Sequence, residues 1–410
     1  MRRPAPMGQT EFIALIAMMF ATIAFSMDAM LPALPEIGVE LTPDLPNRAQ
    51  LILTSFVLGI GLGTFVTGPI SDALGRKRVI VGGAAIYIAA SGVAWASSSL
   101  EVVLAARVVQ GLGAAFPRIV SLAVVRDLYS GREMARIVSI AMIIFTIFPA
   151  FAPLMGEGII ALSNWRGIFL AFVLFSIISV GWMHLRLPES LPVEKRRPIR
   201  PRLLHQAVKE VLGNPIVRMS IAVQTLCLGT LFTMLSMVQP VYDSVFDRGD
   251  SFANWFAIVA LFSGSASLLN AALVVRVGMR RMITWSLAAQ VMLSGVMIAT
   301  LAVGMPPDTG FYLFVVWQST VFFMAGTTLG NLNALAMEPM GHIAGTAAST
   351  ISSISTVCAA AIAAPIGLTF DGSLWPLTIG IFGLCFIGLL LMLMMGRRED
   401  GITPPQNPGP

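Results

Sequence analysis

The chain has 410 residues, 56% of them hydrophobic and 11% charged, with a formal net charge of +5. Soluble domains carry about 25% charged residues, so a soluble globular protein is excluded. Uninterrupted apolar runs of about 20 residues also exclude a β-barrel, whose strands alternate over roughly 10.

Twelve apolar segments follow one another, at 10–33, 47–69, 79–97, 100–124, 136–161, 166–186, 216–240, 252–275, 282–303, 309–336, 342–369 and 373–395. Each is long enough to cross a bilayer as a helix. The first is too long for a signal peptide and lacks a clear small-residue cleavage site, so it is expected to remain as a span. A polar stretch rich in Lys and Arg separates the sixth segment from the seventh. The expected fold is an all-α integral membrane protein with twelve transmembrane helices in two pseudo-symmetric six-helix bundles. The expected division is an N-terminal bundle over 1–186, a cytoplasmic linker over 187–215, a C-terminal bundle over 216–396 and a disordered cytoplasmic tail over 397–410.

Charge placement orients the chain. With the N-terminus inside, 21 of the 26 Lys and Arg fall at inner ends and loops, and Arg48, Arg166 and Arg248 fall outside. Arg107 and Arg118 lie within the fourth segment. This bias follows the positive-inside rule and predicts that both termini are cytoplasmic. The basic residues are spread over short loops, so the net charge does not point to nucleic acid. The halves echo each other. Asp72-Ala-Leu-Gly75-Arg76-Lys77-Arg78 follows the second segment, and Arg276-Val-Gly278-Met-Arg280-Arg281 follows the eighth. Internal symmetry of this kind marks transporter folds, with the substrate site between the repeats.

Charges at bilayer depth cost at least ~2.5–3.5 kcal/mol each, and they pair, line a cavity or carry protons. At ~1.5 Å per residue, Asp28 lies roughly 24 Å from the inner surface, Arg107 about 9 Å and Glu157 roughly 10 Å below the outer one. The three share one layer in the first half. Asp28 either stabilises the end of the first segment, before Pro32 and Pro35, or carries protons. Arg107 is a fixed tether or tunes a neighbouring carboxyl, since a guanidinium does not deprotonate. Glu157 either faces outer water or titrates. Arg118 is expected to snorkel to the inner interface. The second half has no deep charge, and its polar groups are neutral. Gln110, Gln224, Gln318 and Asn331 are candidates either to hydrogen-bond a substrate or to join helices.

Gly75 permits a tight turn between the second and third segments. Asp72 can cap a helix or pair with a loop arginine, so Gly68, Asp72, Gly75, Arg76 and Lys77 form a candidate conformational latch. His342 stands alone, which suits a structural hydrogen bond and no metal site. Cys227, Cys358 and Cys385 lack metal or framework spacing and read as small buried hydrophobes. No Walker loop is present, so ATP is not the expected energy source.

At these residues the chain resembles the major facilitator superfamily. Its loop motif G-x-x-x-D-x-x-G-R-[KR]-[KR] is matched from Gly68 to Arg78. Its fourth-span motif R-x-x-Q-G-x-G-A is matched by Arg107, Gln110, Gly111, Gly113 and Ala114. Met27-Asp28-Ala-Met-Leu-Pro32-Ala-Leu-Pro35 and the run from Ala334 to Ala347 resemble the drug:H+ antiporters of the bicyclomycin/chloramphenicol-resistance type. The resemblance implies a monomeric, cofactor-free efflux antiporter of a bacterial inner membrane, driven by the proton gradient. Asp28 and Arg107 would be its coupling pair and small amphipathic compounds its substrates. A proton-linked transporter of a metabolite, such as an amino-acid derivative or a sugar, is the alternative on the same fold, and a non-transporting membrane receptor is a remote one. The fifth span departs from the antiporter pattern G-x-x-x-G-P-x-x-G-G. Pro153 and Gly156 fit it, but Glu157 replaces the last glycine.

Overall fold

The computed structural model describes residues 7–400 apart from Arg197, Arg200 and Met305. The basic residues Arg2, Arg3, Arg197 and Arg200, and the tail from 401 onward, lie outside the described residues, as do the side chains of Arg397 and Arg398. The described chain is helical, with α1 (Gln9–Asp28), α2 (Leu34–Leu41), α3 (Leu51–Leu74), α4 (Arg76–Ala96), α5 (Leu100–Leu128), α6 (Gly131–Leu162), α7 (Trp165–Arg186), α8 (Pro201–Gly213), α9 (Pro215–Pro240), α10 (Phe252–Val277), α11 (Met279–Val303), α12 (Pro307–Met337), α13 (Ala344–Leu368) and α14 (Trp375–Asp400). All but α2 and α8 are long enough to cross a membrane.

Three boundaries differ from the pattern of apolar runs. The first segment ends as an α-helix at Asp28, because Pro32 and Pro35 lack the N–H groups that would continue it. A 3-10 turn at Leu31–Ala33 and the short helix α2 follow. The stretch between the bundles is more than a linker, since it contains α8. That helix buries Val211 against Val217 and Ile221 of α9 and Ala347 and Ile351 of α13. The C-terminal tail begins as helix, because α14 continues to Asp400.

The two bundles repeat one packing scheme. In the first, α5 packs on α3 and α4, α1 on α6, and α4 on α7. In the second, α12 packs on α10 and α11, α9 on α13, and α11 on α14. The repeat extends to the backbone. Gly75 (φ 100°) ends α3 and Gly278 (φ 88°) ends α10, each in a left-handed conformation that allows the next helix to start at once.

Glycines set the closest approaches. A Cβ on Gly59 of α3 would sit 2.0 Å from the Val108 carbonyl oxygen of α5, and one on Gly111 of α5 would sit 2.0 Å from the Phe56 oxygen of α3. These helices meet backbone to backbone, as small residues permit in a membrane.

We call the side where α1 begins and α14 ends the terminal side, and the opposite side the far side. Contacts between bundles run from the far side to mid-height. The side-chain amide of Asn47 donates to the Phe370 carbonyl, Gly367 packs on Gln50, and Ser353 Oγ donates to the Gly61 carbonyl at 2.7 Å. On the terminal side, the space around the Cβ position of Gly68 is open.

Gly111→Val would force α3 and α5 apart. Such overpacking costs about 1–3 kcal/mol or more. A thermal melt of the detergent-purified variant should show a clearly lower midpoint than the parent, and an equal midpoint would refute the backbone contact.

Candidate functional site

Arg107 is fully buried. Its Nη2 donates to the Ser26 carbonyl of α1 at 2.8 Å, its Nε to the Ile52 carbonyl of α3 at 3.3 Å, and its Nη1 to Gln110 Oε1 at 2.6 Å. The guanidinium also lies 4.2 Å from the centre of the Phe56 ring, a favourable cation–π distance. Gln110 Nε2 passes the network to Ser91 Oγ of α4 at 2.6 Å. Tyr87 of α4 closes it, with its hydroxyl 2.6 Å from Ser26 Oγ.

Ser26 lies in the last turn of α1, where carbonyls lack helical partners and the helix dipole is negative. Arg107 is therefore compensated by a helix terminus, an amide and a ring. No ion pair joins it to Asp28. The expected common depth holds, since Arg107 touches Ser26, two residues before Asp28. The expected pair does not form in this conformation. Two residues on a helix are roughly 200° apart, so the face that turns Ser26 to α4 turns Asp28 away. Asp28 is 6% exposed, and its carboxyl has no hydrogen-bond or ion-pair partner among the described residues.

Glu157 occupies the same layer from α6. Its neighbour Gly156 meets α1 so closely that a Cβ there would sit 2.2 Å from the Ala29 oxygen. Glu157 itself turns to the other bundle, where Oε1 accepts from Ala253 N–H in the first turn of α10 at 3.3 Å. A carboxylate at a helix N-terminus is favourable. The residue that breaks the glycine pattern thus joins the bundles on the far side.

The four candidate substrate ligands divide into two kinds. Gln110 belongs to the Arg107 network. Asn331 of α12 donates to Asn270 Oδ1 of α10 at 2.7 Å and to the Thr327 carbonyl at 2.9 Å, so it joins helices. Gln318 accepts from the Tyr242 hydroxyl at 3.0 Å, but among the described residues its Nε2 has no partner, and Gln224 Oε1 is likewise buried without one.

The latch residues come together within the first bundle. Arg76 reaches Asp72 at 2.5 Å and Asp127 at 3.0 Å. Glu189, from the chain after α7, accepts from the backbone N–H groups of Arg76 at 2.9 Å and Lys77 at 3.2 Å, at the N-terminus of α4. Gly75 is needed there, because a Cβ would lie 2.6 Å from Glu189 Oε2. Gly68 stands apart, in open space.

Sequence reasoning missed Tyr87, Ser91, Asp127, Glu189 and Gln50. Tyr87 left a faint signal, as one of four tyrosines in the chain. Of the cysteines, Cys227 and Cys385 are buried, but Cys358 is exposed on α13, contrary to the expectation for all three. His342 makes a structural contact, its Nε2 being 2.6 Å from Glu210 Oε1 of α8. Arg118 does not run toward the terminal side. Its guanidinium reaches sideways to Phe145 of α6, 5.8 Å from the ring centre.

Comparison with known proteins decides the family. The profile described as Major Facilitator Superfamily matches residues 14–365. The chain belongs to the Major Facilitator Superfamily. It is therefore a multi-pass membrane transporter and not an enzyme. Among superfamily members it is similar to a bicyclomycin resistance protein homolog of Haemophilus influenzae, at 29% identity over 84% of this chain and 85% of that protein. It is also similar to the multidrug resistance protein MdtL of Escherichia coli, at 26% identity over 90% of each chain. Its fold is shared with a peptide transporter POT solved in complex with sulfate, with a TM-score of 0.75 at 12% identity, covering 97% of each chain.

Arg107→Ala would leave Gln110 Oε1 without its donor and remove a bond to each of two buried carbonyls, at about 1–3 kcal/mol per unsatisfied group. Asp28→Asn removes no bond seen here. The first variant should melt well below the parent and the second close to it. The reverse order would contradict the network described.

Proposed function

We propose that the protein is a proton-coupled antiporter of a bacterial inner membrane that exports small amphipathic compounds. In this reading the terminal side is cytoplasmic, in keeping with its excess of Lys and Arg, and the far side faces out. The names of the relatives, a bicyclomycin resistance homolog and a multidrug resistance protein, support drug-like substrates. The observation that carries proton coupling is Asp28. It is a buried carboxyl without a partner, in the layer where α1, α6 and α10 meet. Its charge state alters the energy of a conformation that seals it from water.

Two bundle arrangements then exchange about the central space. In the one described here the far side is closed by α3 on α13 and α6 on α10. Opening that side gives external protons access to Asp28, and to Glu157, whose bond to α10 must break as the bundles part. Arg107 keeps its charge throughout and fixes the end of α1 against α3 and α5. Gln224 and Gln318 have unused polar atoms to offer a substrate. The Asp72–Arg76–Asp127 cluster with Glu189 holds the terminal ends of α3, α4 and α5 together as one body. The monomer works without a cofactor, and the proton gradient supplies the energy.

In proteoliposomes, Asp28→Asn should lose pH-gradient-driven export of a test drug by at least ~10-fold while inserting and folding normally. Export at the parental rate with a normal pH dependence would remove Asp28 from the coupling step. Glu157→Gln should keep transport but alter how its rate varies with external pH, and an unchanged profile would make Glu157 a purely structural contact.

A further inference from the structure

We infer that Arg118 is an anion site in the space between the bundles, and that the transporter favours amphipathic compounds bearing a carboxylate. The inference deepens the export reading and rests on it for the role of that space.

The position of Arg118 follows from the packing of α5. Gln110 faces α4 through Ser91, and Ser121 faces α1 through Met19. Val108 and Leu112 face α3, through Gly59 and Gly63, and Gly113 faces α4 at Gly83. At ~100° per residue Arg118 falls between the α1 and α3 directions, on the side away from α4. That seam is turned toward the second bundle, which α3 meets at α13. Arg118 is half-buried, and its guanidinium lies by Phe145 of α6. Depth agrees from both helices. Arg118 is 18 residues from the far end of α5 and Phe145 is 17 from the far end of α6, so both sit about 26 Å down.

No wall supplies a counter-charge. Arg118 has no ion-pair or hydrogen-bond partner among the described residues. In the first bundle, Asp28 and Glu157 lie far above it, Asp127 is held by Arg76, and Glu11 by Arg186. Glu133 starts α6, twelve residues before Phe145, or about 18 Å away. Between 216 and 396 the acidic residues are Asp243, Asp247, Asp250, Asp308, Glu338 and Asp371, all in connections or at helix ends. Arg107, by contrast, has every donor group engaged by helix carbonyls or an amide. Arg118 has an open charge beside an aromatic wall. A carboxylate attached to an apolar ring satisfies both, with the carboxylate on the guanidinium fork and the ring against Phe145.

Equilibrium binding to the full-length protein in phosphatidylcholine nanodiscs tests this without any gradient, so a failure of proton coupling and a failure of this site are read separately. The probes are 1-naphthoate and its neutral counterpart 1-naphthamide. The parent should bind the acid at least ~10-fold more tightly than the amide. Arg118→Gln should reduce the acid to the affinity of the amide and leave amide binding unchanged, which also reports an intact fold. Arg118→Lys should retain a preference for the acid. Equal affinity or no binding of both probes in the parent, or an unchanged preference in Arg118→Gln, would overturn the proposal. Loss of the preference in phosphatidylglycerol discs at the same salt would assign the site to a lipid headgroup and overturn it as a substrate determinant.

Discussion

A guanidinium sealed from water, and from every carboxylate among the described residues, sets the geometry of the first bundle. Arg107 bonds the end of α1, the start of α3 and, through Gln110 and Ser91, the far end of α4. Four helices must therefore converge at one depth. The glycines beside it make that possible, since Gly111 admits α3 and Gly113 admits α4 to within backbone contact. The motif that contains all three residues is a single packing device, with a charge at its centre and two slots beside it. Because α1 ends at this point, its terminal carbonyls are available to the cation. Pro32 and Pro35 are thus part of the same arrangement.

The second bundle repeats the helix pairing but uses different chemistry. Where the first has a charged hub, the second has the amide pair Asn270–Asn331 and the bond from Tyr242 to Gln318. Around Tyr242, the rings of Phe252, Phe311 and Phe314 pack edge to face within 5.8 Å. One bundle concentrates ionisable groups in its far half, and the other offers neutral polar and aromatic surface. A change in the charge of Asp28 or Glu157 is felt at the boundary between them, and Glu157 bonds directly across it.

Much of this was legible in the sequence because membrane insertion writes simple rules. Apolar length gave the spans, and residue counting placed Asp28, Arg107 and Glu157 in one layer. Counting gives depth but not azimuth. It could not reveal that Asp28 and Arg107 lie on diverging faces of the α1–α5 contact, or that Arg118 turns sideways to Phe145. Azimuth depends on which neighbours a helix acquires, and that is decided by glycine contacts between remote segments. Glu189 was invisible for a related reason. It lies more than a hundred residues from the helix start that it caps, in the stretch that connects the bundles. What residue pattern alone does not supply for α8 is its partners, the faces of α9 and α13 on which its apolar side rests.

The anchoring of that connection limits how far the bundles can separate. Glu189 and Ser190 are bonded to the first bundle, and α8, which begins at Pro201, is packed on the second through Val211, with Glu210 meeting His342. Ten residues lie between Ser190 and Pro201. Even a fully drawn-out chain over the eleven steps from anchor to anchor reaches no more than about 40 Å. The passage between the two anchors therefore acts as a leash of fixed length, stopping any excursion of the bundles that would widen the terminal side beyond it.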